Sequence, residues 1–427
     1  MLLYPGMNQE RPVIAILTAP FGAGHQLAAE AIRQSVQASC GEARVFDPFS
    51  RLPAGAGQRL VQAYLDLLRY APDLWRLVYT GTGDLPARDT FQNVLSQGLW
   101  LLLGPILEKW MQENRPQVVI ATHPFTAALV DAWLTLRRET KGRKGHARRH
   151  GSCREQDELP FFVVTTDFLP HPFWFYPTVT CYCVATPGSA RRLLQAGIPA
   201  HRIKVTGIPV REQFVTPPDP QTARNRIGLA GSTTTPSTGS EGSTGPAPPT
   251  DSANRAPLVL VMGGGLGVGR YTHILRGLLT VETALHLVVF TGRNPKLHRY
   301  LQHFLEQFPS SNHRVDILPY TENVADWMAV ADLLVTKPGG LTLAEGLAVG
   351  VPMVLVDPVP GQEEENAEYL AAAGAVLTAT RWRLRAVVQE LLTQQEVRLR
   401  LRRAARDLAR PDAARRIAQM VAAAVDS

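Results

Sequence analysis

The sequence predicts an α/β protein built from two doubly wound parallel sheets. Short apolar runs, each long enough for one buried strand, alternate with helical patterns along most of the chain, and this alternation is typical of parallel sheets. The same scheme occurs twice, on either side of a segment rich in Pro, Gly, Ser and Thr. Each half also carries glycine clusters directly after strands. Two successive sheets therefore account for the 427 residues.

The strands of the first half are predicted from apolar runs that have turn signals at their ends. The first run stops at Pro20 and Gly22, and a helix is expected from about residue 25 to residue 38. Pro116 precedes the second run. The predicted strands are residues 13–18, 118–122, 161–166 and 179–185.

The second half repeats this order of strands and helices. Helices are expected at about residues 295–307 and 342–349, between or after short apolar runs. A glycine cluster follows the first of these runs, and another glycine pair follows the fourth. The predicted strands are residues 258–262, 285–291, 315–318, 333–336 and 353–356.

The domain boundaries are predicted from changes of composition. Residues 1–215 form the expected N-terminal domain and residues 258–410 the expected C-terminal domain. Residues 216–257 have almost no large apolar side chain in their central part. Such a segment cannot bury enough apolar surface to offset its ordering entropy, so we expect a disordered insertion.

A second insertion, rich in basic residues, is predicted at residues 137–157. It contains eight Lys and Arg residues through Arg154 and one acidic residue, Glu139. A segment of this kind is either a solvated loop or a contact for an anionic surface, and the sequence leaves both interpretations open. Nucleic acid is the weaker partner, because no aromatic residues are interleaved for base stacking.

The overall composition excludes several classes of protein. Four cysteines without a C-x-x-C pair exclude a disulfide scaffold and disfavour a structural zinc site. The longest uncharged apolar stretch, residues 98–107, is shorter than the roughly 20 residues that a transmembrane helix needs. The first residues lack the basic region of a signal peptide. We therefore expect a cytoplasmic protein that associates peripherally with a membrane.

Three glycine loops are the candidate ligand sites. They span residues 20–25, 263–269 and 337–342, and each precedes a helix. Glycine lets a backbone approach a ligand closely, and a helix N-terminus offers free N–H groups to a phosphate. None of the loops matches G-x-G-x-x-G or the P-loop motif, and no acidic residue ends the strand at Phe290. A tight turn without a ligand remains the alternative for each loop alone.

A further candidate site follows the strand at residues 353–356. Gln362 and Glu363 come directly after a Pro-Gly corner, which would hold an amide and a carboxylate rigidly enough to bind sugar hydroxyls. The helix dipole explains the acidic residues Glu364 and Glu365 as first-turn residues. Glu345, one turn into the preceding helix, is either a surface residue or an acceptor for a ribose diol.

Together these residues resemble the family of monogalactosyldiacylglycerol synthases and processive diacylglycerol glucosyltransferases. That family is related to the peptidoglycan N-acetylglucosaminyltransferase. The resemblance covers nearly the whole chain apart from the two insertions. Its most specific block is residues 320–370. Other matching strings are APFGAGHQLAAEAI (19–32), VVTTDFLPHPFWF (163–175) and LVMGGGLGVG (260–269).

The resemblance implies a GT-B fold, in which two Rossmann-like domains face a cleft, with residues 411–427 returning to the N-terminal domain. It implies an inverting transfer of a hexose from UDP-galactose or UDP-glucose to the hydroxyl of 1,2-diacylglycerol, giving a monoglycosyldiacylglycerol. No Asp-x-Asp signature occurs, so we expect neither a metal nor a cofactor in the chemistry. A UDP-sugar epimerase of the same fold, a glycosyltransferase with another acceptor and a non-catalytic binding protein remain alternatives.

The resemblance also implies roles for particular residues. His25 is the first candidate for general base or for orienting the acceptor, and Asp167 is the second. Glu345 would bind the ribose, Gln362 and Glu363 the hexose. The remaining donor-binding candidates are Gly264, Gly265, Arg211, Arg293, Tyr320, Lys337, Gly339, Gly340, Leu341 and Thr342.

The acceptor and membrane site is predicted from an apolar region between residues 57 and 111. Tryptophan and basic residues there are typical of a membrane interface, whereas packing of helices into the core is the alternative. The basic insertion could assist at an anionic membrane surface, since each cation contributes roughly 1 kcal/mol. The candidate residues are Trp100 and Leu101 in this region, with His171 and Trp174 from the matched motif.

Overall fold

The computed structural model describes residues 11–82, 85–145, 159–229, 255–265, 267, 269–308 and 312–426. Within these ranges the strands run parallel to one another and form two sheets of six strands each. The strands of the first sheet are β1 (Val13–Leu17), β2 (Glu42–Phe46), β3 (Val118–Ala121), β4 (Phe161–Val164), β5 (Cys181–Val184) and β6 (Ile203–Val205). Those of the second are β7 (Leu258–Met262), β8 (His286–Phe290), β9 (Arg314–Leu318), β10 (Leu333–Thr336), β11 (Met353–Leu355) and β12 (Leu377–Thr378).

Helices connect the strands and cover both faces of each sheet. The helices up to the end of the first sheet are α1 (Ala23–Ser39), α2 (Ala56–Tyr70), α3 (Pro72–Gly81), α4 (Leu85–Asn114), α5 (Pro124–Gly145) and α6 (Pro187–Gln195). The later helices are α7 (Glu212–Val215), α8 (Pro220–Arg226), α9 (Tyr271–Leu278), α10 (Pro295–Glu306), α11 (Val324–Val330), α12 (Gly340–Val349), α13 (Gln362–Ala372), α14 (Leu384–Thr393), α15 (Gln395–Leu408) and α16 (Ala413–Val425).

The strand order explains where a ligand can bind. The first sheet is ordered β2-β1-β3-β4-β5-β6 and the second β12-β11-β10-β7-β8-β9. In each sheet the first strand of the chain is an inner strand. The next strand or strands are added on one side of it, and the chain then crosses over and adds the remaining strands on the other side. Ligands of such open sheets bind beyond the carboxyl ends of the strands at these reversals. The predicted α/β class with two doubly wound sheets is confirmed.

Strand β1 illustrates why the central strands are continuously apolar. Ile14 and Ile16 pack on one face of the sheet, against α1 and α16. Ala15 and Leu17 pack on the opposite face, against α4 and α5. A strand that is covered on both faces needs apolar side chains at successive positions.

The last helix, α16, leaves the second sheet and packs beneath the first. Ile417 and Val421 are fully buried there, against Ile32 and Val36 of α1. The C-terminal residues thus contribute to the core of the N-terminal domain, which tethers the two sheets to each other.

Three strands were missed by the sequence prediction, and all three are edge strands. Only two of the five residues of β2 are buried, β6 has no fully buried residue, and β12 is two residues long. An edge strand has one neighbour only and is partly solvated, so it needs no continuous apolar run.

The predicted insertions are both shorter than expected. Part of residues 216–257 is folded, because α8 lies there and buries Ala223 against α11; residues 230–254 lie outside the described ranges. Likewise, residues 137–145 are not a loop but the last part of α5, and residues 146–158 lie outside the described ranges. A helix whose N-terminus is capped by a side chain such as Asp219 needs few apolar residues. The composition of this segment therefore gave no indication of α8.

Among the described residues, no helix combines the length and the apolar character that crossing a bilayer requires.

Candidate active site

The two sheets meet through their glycine loops. A Cβ atom on Gly340, at the start of α12, would lie 1.9 Å from the carbonyl oxygen of Thr166, which follows β4. A Cβ on Gly265 would lie 2.7 Å from the Cβ of Ala23. Contacts this close, with a backbone carbonyl at Gly340 and with the Ala23 methyl group at Gly265, leave no space for any side chain. Glycine is therefore required at these positions by the approach of the two domains.

A cleft of about 1400 Å³ lies between the loops. It is large enough for a nucleotide-sugar together with part of an acceptor, since ligand pockets typically measure 300–1000 Å³. Both catalytic candidates and all but one of the donor-binding candidates line it. These residues are His25, Asp167, Arg211, Gly264, Gly265, Tyr320, Lys337, Gly339, Gly340, Leu341, Thr342, Glu345, Gln362 and Glu363.

His25 is held as a neutral imidazole with a defined tautomer. Its Nδ1 lies 2.8 Å from the carbonyl oxygen of Thr122 and 2.9 Å from the hydroxyl of Thr166. A carbonyl oxygen can only accept, so Nδ1 carries the proton and Nε2 keeps its lone pair. Desolvation lowers the pKa of His25 to about 4, against the opposing effect of the Thr122 hydrogen bond. The ring is thus unprotonated at Nε2 at neutral pH.

Asp167, the residue after Thr166, lines the cleft. Its pKa is shifted upward, opposite to the shift of the His25 pKa. Desolvation raises the pKa of Asp167 to about 6, while side-chain hydrogen bonds from Asn366 and Trp174 oppose the rise. Asn366 is fully buried and joins the domains. Its oxygen accepts the N–H of Phe168 at 2.8 Å, and its amide nitrogen donates to the carbonyl of Pro338 at 3.2 Å.

Glu345 lies on α12 and is 4% exposed. The guanidinium of Arg211 donates to its Oε1 at 3.0 and 3.3 Å. Burial raises the pKa of Glu345, and the charge and hydrogen bonds of Arg211 counteract this. The predicted ribose-binding carboxylate therefore has a cation beside it.

Lys337 and Glu363 form a second buried pair in the cleft. Lys337 Nζ lies 2.6 Å from Glu363 Oε1, and the N–H of Val359 donates to Oε2 at 2.9 Å. Glu363 is 4% exposed. The carboxylate is thereby fixed at the start of α13, directly after the corner that also orients Gln362. The ammonium lies close to Gly264, where a Cβ would be 3.7 Å from Lys337 Cε.

Arg293 and Tyr320, two further donor-binding candidates, lie against each other. The guanidinium carbon of Arg293 is 4.4 Å from the centre of the Tyr320 ring, a distance typical of a cation–π contact. Tyr320 lines the cleft, whereas Arg293 stacks behind it and is not part of the cleft wall.

Two of the four predicted acceptor or membrane residues are not at a surface. His171 is 5% exposed and lies against Tyr79, with ring centres 4.1 Å apart. Trp174 is 2% exposed and belongs to the core of the first sheet. Their apolar surroundings within the chain explain this burial. They support the cleft from behind and do not line it.

The other two residues lie on α4 and differ from each other. Trp100 is half-buried and packs on the core, whereas Leu101 is 82% exposed. Further large apolar side chains on α2, α3 and α4 are also exposed. They are Leu60, Tyr70, Leu74, Leu77, Val94 and Leu102.

Sequence reasoning missed three residues of the cleft region. Thr166 orients His25, Asn366 bridges the domains, and Tyr64 of α2 lines the cleft. Nothing in the local sequence marks Asn366, because its partners Phe168 and Pro338 lie 198 and 28 residues away. The other two are ordinary residues whose importance depends on distant partners.

Two family descriptions match successive parts of the chain. Residues 25–143 and 151–210 match the model described as monogalactosyldiacylglycerol (MGDG) synthase. Residues 258–418 match the glycosyltransferase family 28 C-terminal domain. The first match contains His25 and Asp167, and the second contains the Lys337–Glu363 and Glu345 sites. The residues that line the cleft are thus shared between the two matches.

Individual proteins resemble the chain over nearly its full length. A processive diacylglycerol beta-glucosyltransferase of Bacillus cereus (strain AH820) is 28% identical, over 97% of this chain and 94% of its own. Among solved structures, MurG of Acinetobacter baumannii has a TM-score of 0.55 and 17% identity, covering 96% and 99% of the two chains. UDP-GlcNAc 2-epimerase of Neisseria meningitidis has a TM-score of 0.52 and 12% identity, covering 96% and 99%. These structures show the fold, and the predicted GT-B architecture is confirmed.

Proposed function

Because this chain belongs to the family of monogalactosyldiacylglycerol synthases and processive diacylglycerol glucosyltransferases, we propose that it transfers a hexose from a UDP-sugar to the hydroxyl of 1,2-diacylglycerol. The donor is UDP-glucose or UDP-galactose, and the anomeric configuration inverts. The observation that carries the proposal is the single cleft in which both catalytic candidates face the donor-binding residues. The name of the Bacillus cereus relative supports the acceptor.

The donor lies along the second sheet. Uracil stacks near Tyr320, the ribose diol hydrogen-bonds to Glu345, and the diphosphate lies over Gly264 and the N-terminus of α12. Backbone N–H groups of that helix and the nearby cations Lys337 and Arg211 stabilise the charge that develops on the departing UDP. The proposed reaction therefore needs no metal ion.

His25 is the proposed base. The acceptor hydroxyl attacks C1 of the hexose, its proton passes to Nε2 of His25, and the C1–O bond to the phosphate breaks with both electrons leaving on UDP. The hydrogen bond from Nδ1 to Thr122 orients the ring for this transfer. Asp167 is the competing base, because its raised pKa lies closer to neutral pH.

The acceptor reaches the cleft from a lipid bilayer. The exposed leucines of α2, α3 and α4 are proposed to enter the interface, and basic residues such as Arg137 and Arg138 of α5 to meet anionic head groups. Each exposed leucine that enters the acyl region gains up to about 1.5–3 kcal/mol. This peripheral mode of binding fits helices that do not span the bilayer.

The test uses purified protein, diacylglycerol vesicles and radiolabelled UDP-glucose or UDP-galactose in parallel. Label in a glycolipid supports the proposal and identifies the sugar, and addition of EDTA is expected to leave the rate unchanged. His25→Ala serves as the control, since it should bind UDP and lose turnover. Binding of UDP without labelled lipid from either donor contradicts the diacylglycerol acceptor. Conversion of the UDP-sugar to its epimer contradicts transfer altogether.

A further inference from the structure

Glu365, in the first turn of α13, is held by two side chains from the N-terminal domain, and Arg76 of α3 pairs with the neighbouring Glu364 at 2.7 Å. Arg192 of α6 donates to both oxygens of Glu365, at 2.9 Å to Oε2 and 2.8 Å to Oε1. The hydroxyl of Tyr79, on α3, donates to Oε2 at 2.9 Å. We call Tyr79, Arg192 and Glu365 the Glu365 cluster. It joins three helices that are far apart in the sequence.

Tyr79 also packs on the corner where α13 begins. Gly361 has a φ of 85°, and a Cβ there would lie 2.5 Å from the Tyr79 ring. The N–H of Gly361 donates to the carboxylate of Glu364 at 2.9 Å. Gln362 and Glu363 are the next two residues after this corner. The orientation of both therefore depends on how firmly the corner and the first turn are held.

The cluster is supported from behind by His171. Its Nδ1 accepts the N–H of Phe173 at 3.2 Å, so the proton is on Nε2, which donates to the carbonyl of Tyr79 at 2.9 Å. Tyr79 is 5% exposed. Burial and the neighbouring carboxylates raise the pKa of Tyr79, so its hydroxyl remains a hydrogen-bond donor. Two-point pairing by Arg192 then leaves Glu365 little rotational freedom.

We propose that Tyr79, Arg192 and Glu365 are positioning residues for the donor sugar. They hold the first turn of α13 so that Gln362 and Glu363 contact the hexose only while the two domains are closed. The hexose site of the second sheet is thus completed by residues of the first. This inference rests on the proposed function, which assigns hexose binding to Gln362 and Glu363.

The test compares the dissociation constants of UDP, UDP-glucose and UDP-galactose by calorimetry, without any acceptor. The variants are Tyr79→Phe, which keeps the ring over Gly361, Arg192→Ala and Glu365→Gln. We expect the affinity for the sugar nucleotide to fall about tenfold relative to that for UDP, which should change less than about twofold. Only hexose binding depends on α13, since the proposed contacts of UDP lie at Tyr320, Glu345 and Gly264 and at the N-terminus of α12.

Arg255→Ala is the matched control. Arg255 pairs with Asp332 at 3.0 Å, and these two side chains are each 29% exposed, close to the 31% and 27% of Arg192 and Glu365. The control should lower the melting temperature about as much as Arg192→Ala does. Its ratio of UDP-sugar to UDP affinity should equal that of the wild type.

The double variant Tyr79→Phe with Arg192→Ala distinguishes positioning from a general loss of stability. Both changes act through Glu365, so their effects on the affinity ratio should not add. An unchanged ratio in all three single variants, or equal weakening of UDP and UDP-sugar, overturns the inference. Because no lipid is involved, a failure of diacylglycerol transfer in the wild type would be detected separately, in the vesicle assay.

Discussion

The two walls of the cleft are built in opposite ways. The donor wall, formed by the glycine loops, α12 and α13, consists of buried ion pairs and backbone contacts with no spare volume. The other wall includes α2 and α3. Together with α4, these helices leave large apolar side chains such as Leu77 and Leu101 in solvent outside the cleft, at 67% and 82% exposure.

This difference follows from what each wall is proposed to bind. A sugar nucleotide is small, charged and rigid, so its site gains from preorganised polar groups. A lipid acceptor stays partly in its bilayer, so the surface around it gains from exposed apolar side chains. The comparison predicts that small changes will damage the donor wall and be tolerated on the other. Five experiments test this, beginning with His25.

The largest effect is expected at His25. His25→Ala should reduce kcat by about 10²–10⁴-fold, the usual contribution of a general base, and leave the affinity for UDP unchanged. Equal losses of turnover and UDP affinity would instead indicate that His25 shapes the donor wall.

The pH profile of kcat/KM separates the two candidate bases. A base must be deprotonated, so activity falls as the pH drops through its pKa. With a pKa of about 4 for His25, about nine-tenths of the activity should remain at pH 5. With a pKa of about 6 for Asp167, only about one-tenth would remain. The second result would assign the base to Asp167.

The next effect concerns the approach of the walls. Gly340→Ala places a methyl group against the Thr166 carbonyl, so the domains must separate. Misplacement by about 1 Å can cost 10²-fold in rate, and we expect a loss of that order in kcat/KM. Gly98→Ala in α4 is the matched control, because nothing lies within 4 Å of its added Cβ. Similar losses of kcat/KM in both variants would contradict the prediction that the donor wall is more sensitive to small changes than α4.

The buried pair of Arg211 with Glu345 should show a smaller effect that depends on pH. Arg211→Ala leaves the Glu345 carboxylate without its cation, which costs about 3 kcal/mol of unfolding free energy at pH 8. Removal of Arg211 raises the pKa of Glu345 further, so the loss should shrink at pH 5, where the carboxyl can take up a proton. Denaturant unfolding at both pH values measures this. Arg314→Ala, in a surface pair, should cost under about 1 kcal/mol at either pH.

The smallest effect is expected for the exposed leucines. Leu77→Gln combined with Leu101→Gln should weaken sedimentation with anionic vesicles about tenfold, because less apolar surface enters the bilayer. The unfolding free energy should change little, since neither side chain packs in the core. Leu399→Gln on α15, where Leu399 is 43% exposed, is the control. Unchanged vesicle binding in the double variant would contradict a membrane role for this wall.

Much of the fold was predictable because it depends on local patterns. The central strands are apolar at successive positions, so a window of a few residues identifies them. The glycine loops and the Gln362–Glu363 corner were predictable for the same reason. The edge strands β2, β6 and β12 were not, because a half-solvated strand lacks that pattern. The helix α8 was hidden in a segment of misleading composition.

The surroundings of the site residues could not be predicted. The roles inferred for His25 and Glu345 came from a motif, and the motif does not contain their partners. Thr122 and Thr166 are 97 and 141 residues away from His25. Likewise, His171 and Trp174 belong to the same motif as Asp167, yet tertiary packing buries both of them behind the cleft.

The sequence by itself determined that this chain forms two parallel sheets with glycine loops at their carboxyl ends, because periodicity, turns and backbone freedom are properties of neighbouring residues. Only the tertiary structure decided the protonation of His25 and Asp167, the pairing of Arg211 with Glu345 and the contact of Tyr79 and Arg192 with Glu365. Those features depend on desolvation and on hydrogen-bond and ion-pair partners that are 134, 173 and 286 residues apart in the chain. Residues this far apart in the sequence come into contact only when both sheets have folded and packed against each other.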